Sequence, residues 1–358
     1  MANHQKKSAI NWSNHSQLIV PLLSILLLVV FNLIRDPSFF SLSLSVSNSG
    51  NTVLTGNLVS ILNGASELAV LAMGMTLVTA AAGGQDISVG ALAAIAGSVF
   101  VRILRAGEIT PMSVIAGFAA CCVVAILFGL FNGTLVAVFK IQPMIATLVL
   151  YTCGRSIAYW INGGASPTVS SPILTAIGSF IPGVPIPTPI LIVILCGIIF
   201  GLVFRFTTLG LYTQSVGINQ RAARLNGINS TGIKLLSFMI LGVCCAVASL
   251  IAVSRLGYLN HDTVLLEIEM DAILAVAIGG NALSGGKFKM TGSVLGAYAI
   301  QTLTTTLYAM RVPSTAVKSY KAVVIILIVA IGSPVVKQVF GRLVARVRAL
   351  RVTGKEAA

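Results

Sequence analysis

The chain has 358 residues, of which 56% are hydrophobic and only 9% are charged. Soluble domains carry about 25% charged residues, so this composition excludes a soluble enzyme, and the mean hydropathy of +0.97 agrees. The net charge of +14 comes from 23 Lys and Arg against 9 Asp and Glu. These basic residues form no aromatic-interleaved stripe of the kind that binds nucleic acid; they fit the cytoplasmic loops of a membrane protein.

Ten apolar stretches predict an all-α polytopic membrane protein with about ten transmembrane helices, because long continuous apolar runs favour helices over a β-barrel. In chain order they lie at residues 18–34, 68–85, 87–101, 109–139, 143–162, 189–204, 235–254, 272–286, 290–310 and 322–336. A spanning helix needs roughly 17–25 residues. The short stretches after Asp86 and Asp271 therefore predict broken, tilted or half-length helices.

The positions of Lys and Arg predict the orientation. With ten spans and the N-terminus in the cytoplasm, 15 of the 23 basic residues fall inside and seven outside, so both termini are predicted to be cytoplasmic. The predicted organisation is a cytoplasmic tail over 1–17, a permease-like membrane domain over 18–340 and a cytoplasmic tail over 341–358. A cytoplasmic connection covers about 206–233, and a Pro-rich external loop covers about 163–188.

The polar stretch "AAGGQDISVG" interrupts the second and third apolar runs. Gly83 and Gly84 are predicted to end one helix, since glycine commonly follows the last helical residue. Asp86 or Ser88 is predicted to cap the next helix by accepting from free backbone N–H groups. An acid within the membrane can also be a proton or ion site, so a structural and an ion-coupling role are both open for Asp86.

A similar break, "GGNALSGGKF", occupies residues 279–288. It nearly matches a phosphate-binding loop, but Asn281 and Phe288 stand where that loop requires Gly and Ser or Thr, so no nucleotide site is predicted. Both breaks follow the order apolar run, Gly-Gly, polar patch and small-residue helix. An internal repeat of the kind found in transporters and a coincidence among 34 glycines are both open.

The segment "SVGINQRAARLNGINSTGIKLL" at 215–236 predicts a short helix. Asn219 is a suitable cap, the helix would run to Leu225, and Asn226 with Gly227 would stop it.

Two pairs of residues on this short helix suggest what it does. Arg221 and Arg224 are three residues apart and share a face, while Ala222 and Ala223 leave room for another surface. Docking into the groove of a partner is one interpretation, and an ordinary loop helix with snorkelling arginines is the other.

Other charged residues are expected to have structural partners. Arg155 lies in an apolar stretch with no acid within a helical turn, so it is expected to pair with a distant acid or a helix C-terminus. Glu267 and Asp271 are four residues apart and share a helix face, where they either contact an external partner or are solvated. No nucleophilic or paired-carboxylate catalytic constellation is evident, and the six cysteines have no metal-ligand spacing.

Three segments, in this order, resemble the permeases of monosaccharide ATP-binding-cassette (ABC) importers, the ribose, xylose, arabinose and galactose group. "GGQDISVG" is similar to that family's G-G-x-D-(L/I)-S-V-G, "VGINQRAARLNGI" to its G-x-N-x-x-A-A-x-x-x-G-I, and "EMDAILAVAIGGNALSGG" to its E-x-D-A-I-x-A-V-x-x-G-G-x-x-L-x-G-G. The likeness covers about residues 57–336 and is greatest to galactofuranose-type permeases. Gln85 departs from the family's usual apolar residue, Gln220 and Arg221 precede the alanine pair where other importers carry glutamate, and 163–189 is poorly matched.

The resemblance implies the helical fold of vitamin-B12- and ribose-type importers, in the bacterial inner membrane. It implies a second permease chain, identical or related, and a periplasmic or lipoprotein sugar-binding protein. It also implies cytoplasmic ATPases that use ATP and Mg²⁺, so that this chain binds no cofactor and is not an enzyme. The residues implied to couple to the ATPase are Gly217, Asn219, Arg221, Ala222, Ala223 and Gly227, and those of the helix-break signature are Gly83, Gly84, Asp86, Ser88, Gly90, Gly279, Gly280, Gly285 and Gly286.

Two other functions are compatible with the residues alone. One is a proton-coupled secondary transporter that uses Asp86, and the other is a channel or a non-transporting membrane subunit. The sequence indicates neither the sugar nor the residues that bind it.

Overall fold

Fourteen helices and one β-hairpin make up residues 18–46 and 52–332, which are the residues that the computed structural model describes. The helices are α1 (Ile19–Arg35), α2 (Asn57–Gly64), α3 (Ser66–Ala82), α4 (Val89–Leu104), α5 (Pro111–Ala137), α6 (Pro143–Ile161), α7 (Pro172–Gly178), α8 (Thr188–Phe206), α9 (Leu209–Ile218), α10 (Gln220–Leu225), α11 (Ser230–Leu256), α12 (Ile268–Ile278), α13 (Met290–Ala309) and α14 (Ser314–Gly332), and the strands are β1 (Ser43–Val46) and β2 (Thr52–Thr55). The predicted tails at 1–17 and 341–358 lie outside the described residues.

Each of the ten predicted apolar stretches contains a helix, but their lengths differ. Within the described residues, α5, α6, α8 and α11 are long and apolar enough to cross a membrane, and α2 with α3, which meet at a 41° bend, make a fifth candidate. The shorter apolar helices α1 and α4 fall below that length. The chain is therefore a helical, multi-span membrane protein, and the number of ten spans stays a prediction.

The core is built around α11 and α3. Helix α11 has 27 residues and packs along α3, α4 and α5. Every residue of α3 from Ser66 to Ala81 is buried. Small residues permit these close crossings, as in other membrane bundles: a side-chain carbon added to Gly74 of α3 would lie 2.9 Å from Leu241 and Cys244 of α11.

The helical fold class is confirmed, with one small addition: β1 and β2 form an antiparallel hairpin in which Ser43 pairs with Thr55. The hairpin is tied to the Pro-rich segment, since the Leu54 N–H donates to the Pro185 carbonyl at 2.9 Å. The sequence "SLSV" of β1 alternates polar and apolar residues, and this period of two is typical of strands.

The helix in the predicted stretch at 272–286 lies closer to the N-terminus than predicted. The helix there, α12, spans Ile268–Ile278, and residues 279–289 are not helical. Eleven residues give a helix of about 16 Å, roughly half of the 30 Å hydrocarbon thickness. The prediction of a short helix here is confirmed, but the helix begins three residues before Asp271 rather than after it, and it ends before the Gly-Gly break.

Candidate functional site

The three motif segments meet at one end of the bundle. The Gly286 N–H donates to the Ala80 carbonyl at 3.1 Å, and the Gln85 amide donates to the Leu283 carbonyl at 2.7 Å. Gly217, at the end of α9, packs against Ala80 and Gly286. We call residues 80–85, 217–218 and 283–286 the junction. It joins both helix breaks to the residues immediately before α10.

Two glycines of the junction are required by close backbone approach. A Cβ on Gly217 would overlap the Ala80 carbonyl oxygen and lie 2.6 Å from the Gly286 nitrogen. A Cβ on Gly286 would lie 2.8 Å from the side chain of Ile218, and Gly286 also has a φ of +78°. No side chain fits at either place without moving the backbone, so the segments are held together by contacts between main chains.

The remaining predicted glycines are distributed around the breaks. Gly83 ends α3 in the left-handed conformation, as predicted, Gly84 packs on Pro143 at the start of α6, and Gly285 faces Gly83. Gly279, which follows α12, packs against the start of α13. The two other predicted glycines also lie near the breaks: Gly280 has a φ of +82°, and Gly90 faces Glu269.

Asp86 lies in a buried hydrogen-bond network beside the junction. It is 1% exposed. One carboxylate oxygen accepts from the Ser88 N–H at 2.7 Å and from the Ser88 hydroxyl at 2.6 Å. The other accepts from the Asn132 amide at 3.2 Å, and the same amide donates to the Ser88 hydroxyl at 2.9 Å. These contacts join the break to α5.

The prediction that Asp86 or Ser88 caps α4 is wrong in its geometry. Ser88 does occupy the N-cap position, but its side chain accepts no hydrogen bond from the first turn, because its hydroxyl is turned to Asp86. Asp86 instead makes a local turn with the N–H of residue 88, a common use of aspartate. The Asp86 carboxylate is thus engaged by three donors, and its structural and ion-coupling roles both stay predictions.

The short helix α10 is confirmed with the predicted limits. Asn219 accepts from the N–H groups of Arg221 and Ala222, both at 3.0 Å, which satisfies free donors of the first turn. The helix ends at Leu225, and Gly227 follows with a φ of +79°.

Helix α10 is clamped to the start of α11. Ser230, 1% exposed, accepts from the Arg224 side chain at 2.6 Å and from the Gln220 amide at 3.2 Å. Lys234 donates to the other end of the Gln220 amide at 3.0 Å. We call Gln220, Arg224, Ser230 and Lys234 the clamp. It ties α10 to α11, the 27-residue helix around which the core is built.

The two alanines of α10 are not equivalent. Ala223 is 4% exposed and packs on its own chain, whereas Ala222 is exposed. The prediction that both leave room for a partner is therefore wrong for Ala223. Arg221 is exposed, but Arg224 of the same pair is used by the clamp.

Sequence reasoning missed two residues of this surface. Ile218 is 70% exposed and Leu225 is 90% exposed. For Leu225, the signal in the sequence is an apolar residue in an otherwise polar connecting helix. A helix of only six residues is too short to cover all of its apolar side chains, so Leu225 stays exposed. The surface that is open to a partner thus comprises Arg221, Ala222 and Leu225 of α10 together with Ile218 at the end of α9.

The other charged residues found partners within the chain. Arg155 donates to the carbonyls of His261 at 2.7 Å and of Val264 at 3.2 Å, and its guanidinium lies beside Gly90 together with the carboxylate of Glu269, a distant acid as expected. Glu267 and Asp271 are each 2.7 Å from a lysine of α14, Lys318 and Lys321 respectively.

Comparison with known proteins agrees with the three motifs. Residues 57–332 match the family described as branched-chain amino acid transport system / permease component. The galactofuranose transporter permease protein YtfT of Escherichia coli (strain K12) is 38% identical over 316 residues, 87% of this chain and 88% of the relative. The fructose import permease protein FruF of Bifidobacterium longum (strain NCC 2705) is 34% identical over 348 residues, 96% and 95% of the two chains. The ribose import permease protein RbsC of Escherichia coli (strain K12) is 32% identical over 318 residues, 87% and 92%.

No solved structure matches the chain. The family match covers both helix breaks, α10 and the junction that joins them. The chain therefore belongs to the family of branched-chain amino acid transport system permease components, and it is a transport component rather than an enzyme.

Proposed function

We propose that this chain is the membrane permease subunit of an ABC importer that carries a monosaccharide into a bacterial cell. The single observation that carries the proposal is α10, a capped, clamped helix that exposes Arg221, Ala222 and Leu225 beside Ile218 at the end of α9. A short helix with an apolar residue at its tip suits insertion into a groove of a partner. The relatives named for galactofuranose, fructose and ribose support a monosaccharide as cargo.

The geometry suggests how movement at α10 reaches the membrane. The clamp makes α10 and the start of α11 move together, and Gly217 transmits a displacement of α9 to α3 through the Ala80 carbonyl. Gly286 connects the same carbonyl to the second break. Closure of a pair of partner ATPases would therefore act on α11 and on both breaks, because the contacts between them leave no free space.

The remaining parts of the assembly follow from this function. ATP and Mg²⁺ are used by the partner ATPase, and this chain binds no cofactor. A second permease chain and a periplasmic or lipoprotein sugar-binding protein complete the importer. We assign to the chain ten spans in the inner membrane with a vitamin-B12- and ribose-importer-like fold, cytoplasmic termini, a cytoplasmic connection at about 206–233 that includes α10, and an external loop at about 163–188.

The variant Leu225→Asp tests the docking of α10. Leu225 is 90% exposed, so the change leaves the fold intact while placing a charge where an apolar contact is proposed. We expect loss of co-purification with the ATPase and at least a tenfold fall in ATP-driven uptake, since an apolar residue buried at an interface contributes about 2 kcal/mol or more.

A matched control is Leu44→Asp in β1, where the leucine is 67% exposed. The hairpin lies at the other end of α3 from the junction, so this variant should retain the ATPase. Unchanged co-purification and uptake in Leu225→Asp would refute the docking role of α10. Uptake of labelled galactose, fructose and ribose by the unaltered importer identifies the cargo; uptake that continues without ATP would refute an ABC importer.

A further inference from the structure

Helix α8 stands apart from its neighbours over most of its length. Its buried residues all lie in its first six positions: Thr188, Pro189, Ile190 and Val193. Farther along the helix, a side-chain carbon added to Gly197 would meet only the methyl group of Met73, at 3.9 Å. The rest of α8, from Ile194 to Phe206, contains no buried residue.

This separation leaves an apolar cavity of about 520 Å³ between α8 and α13, with α3 beneath it. Apolar atoms form nearly all of its wall, although Thr291 and Tyr298 also border it. We call it the α8–α13 slot, and the residues that define it are Met73, Val193, Gly197, Phe204, Met290 and Val294.

The length of the slot matches one leaflet of a bilayer. Phe204 borders one end of the slot, two residues before the end of α8, and Val193 borders the other. The eleven residues between them correspond to about 16 Å along the helix. The hydrocarbon core of a bilayer is about 30 Å thick, so one leaflet contributes about 15 Å. The slot therefore has the depth of a single acyl chain.

Three basic residues surround the end of the slot that Phe204 borders. Arg205 follows Phe204 in α8, and Lys287 and Lys289 flank Phe288 just before α13. The rings of Phe204 and Phe288 meet at 4.9 Å, which brings the three cations to one corner of the bundle, beside the junction. Arg205 and Lys287 are exposed and Lys289 is partly exposed. None of the three makes an ion pair within the described residues.

The main chain of Lys289 is held in place by a buried amide. Asn281 is 6% exposed; its Oδ1 accepts from the Lys289 N–H at 2.7 Å, and its Nδ2 donates to the Lys289 carbonyl at 3.1 Å. The same Nδ2 donates to the Ser293 hydroxyl at 2.9 Å. A cation is thus fixed at the N-terminus of α13, where it faces the positive end of the helix dipole. An anion bound there relieves this repulsion.

A second slot on the other side of α8 provides a contrast. It has a volume of about 510 Å³, lies against α5 and α11, and is lined by apolar residues such as Val203 and Ile240. The basic residue of α11 at that end, Lys234, already donates to Gln220 in the clamp. Acyl chains suit the walls of both slots. Of the two, the α8–α13 slot is the one that combines an apolar wall with a cluster of three cations.

We propose that the α8–α13 slot binds an anionic phospholipid. One acyl chain lies between α8 and α13, and the phosphate of the head group lies at Arg205, Lys287 and Lys289. The acyl chain supplies the packing that α8 lacks within the chain, and the phosphate neutralises charge beside the junction. Clusters of Lys and Arg at a membrane surface attract anionic head groups in this way. The inference requires a membrane-embedded chain, and it does not depend on the cargo or on the docking of α10.

Photo-crosslinking in bilayer nanodiscs tests the proposal. The full chain is placed in phosphatidylcholine that contains a trace of a probe lipid with a photoreactive acyl chain, and the labelled peptides are identified by mass spectrometry. The probe is either phosphatidylglycerol or phosphatidylcholine with the same chain. We expect the phosphatidylglycerol probe to label α8 and α13 at the slot at least tenfold more than the phosphatidylcholine probe, because three cations favour the anionic head group.

Three variants separate the head group from the acyl chain. The combined change Arg205→Gln, Lys287→Gln and Lys289→Gln should lower labelling by phosphatidylglycerol to the level of phosphatidylcholine. Gly197→Leu fills the slot and should reduce labelling of α13 by both probes at least tenfold. The matched control is Lys140→Gln, which removes an exposed cation between α5 and α6 and should leave the preference unchanged. Labelling of the second slot by phosphatidylcholine checks that each variant is folded and inserted.

Equal labelling of the α8–α13 slot by the two probes would overturn the proposal, and so would a preference that survives the triple substitution. The same preference in both slots would also overturn it, because it would reflect a general attraction to the basic end of the bundle. Absence of labelling would show that protein fills the slot. Loss of the preference in excess inorganic phosphate at constant ionic strength would show that the cations recognise a soluble anion and not a lipid.

Discussion

The junction and the far end of α11 are held together in opposite ways. At the junction, main chains touch, and Gly217 leaves no space for another carbon beside the Ala80 carbonyl. At the far end, Arg255 makes an ion pair with Glu67 at 2.9 Å and donates to the Asn63 carbonyl at 2.8 Å. At the junction, a substitution is harmful when the new side chain is larger than the space. At the far end, a substitution is harmful when it removes the partner of a charge. The same bundle therefore tolerates different substitutions at its two ends.

The largest effect is expected from Gly217→Ala. The added carbon overlaps backbone on two sides, so α9 must shift, and we expect a cost of about 3 kcal/mol, the upper end of the usual range for overpacking. We expect a clear fall in the melting temperature of the purified protein and loss of uptake.

The matched control is Gly201→Ala in α8, where an added carbon meets nothing within 4 Å. Alanine is the better helix former by about 1 kcal/mol, so this variant should be unchanged or slightly stabilised. Equal melting temperatures for the two variants would mean that the junction is not limited by size.

A smaller effect is expected from Arg255→Leu at the far end. Glu67 is 6% exposed and would lose its charge partner. Breaking a buried pair costs about 3–5 kcal/mol, but the Arg255 side chain is 29% exposed and solvent screens the pair, so we expect about 2 kcal/mol. Adding Glu67→Gln removes the unpaired charge and should therefore restore part of the melting temperature. A further fall in the melting temperature, equal to that of Glu67→Gln alone, would contradict the ion pair.

The clamp consists of side-chain hydrogen bonds, so a smaller effect on stability is expected there than at the junction or at the ion pair. Ser230→Ala removes the acceptor of Arg224 and Gln220, and a hydrogen bond of this kind contributes about 1 kcal/mol. We expect the ratio of sugar transported to ATP hydrolysed to fall more than the melting temperature does.

Ser237→Ala provides the comparison for the clamp. Ser237 is equally buried, but its hydroxyl donates to Ile233 within α11, so the transport ratio should stay unchanged. An equal loss in both variants would show that the clamp does not transmit movement.

The smallest effect is expected from Lys318→Ala. Lys318 and Glu267 are 62% and 50% exposed at the side chain, and exposed pairs contribute about 0.2–1 kcal/mol. Lys321→Ala should cost more, because Lys321 and Asp271 are 18% and 23% exposed. The two melting temperatures, measured at low and high salt, check this order. A larger loss for Lys318→Ala would reverse the ranking of exposed and buried charges.

Local signals account for what could be predicted from the sequence. The limits of α10 follow from the cap Asn219 and from the stop at Asn226 and Gly227, which act over a few residues. Gly83 ends α3 for the same kind of reason. Each of the ten apolar stretches contains a helix within the described residues, because the hydrophobicity of a run of residues is itself a local property.

The features that could not be predicted depend on distant neighbours. Ala222 and Ala223 are identical in the sequence, and only the packing of α10 on its own chain buries one of them. The pairing of Asp86 with Asn132 joins residues 46 positions apart. Likewise, the two breaks are similar in sequence, but their contact through Ala80 depends on how α3, α9 and α12 are arranged in space.

The bond between the Ala80 carbonyl and the Gly286 N–H also has a consequence for biosynthesis. The carbonyl is made about 200 residues before its donor, and chains are synthesised from the N-terminus at about 5–20 residues per second. The Ala80 carbonyl at the end of α3 is therefore without this hydrogen-bond donor for many seconds after it is synthesised. The junction is therefore completed only after α12 and the second break have been synthesised, with α13 and α14 still to follow.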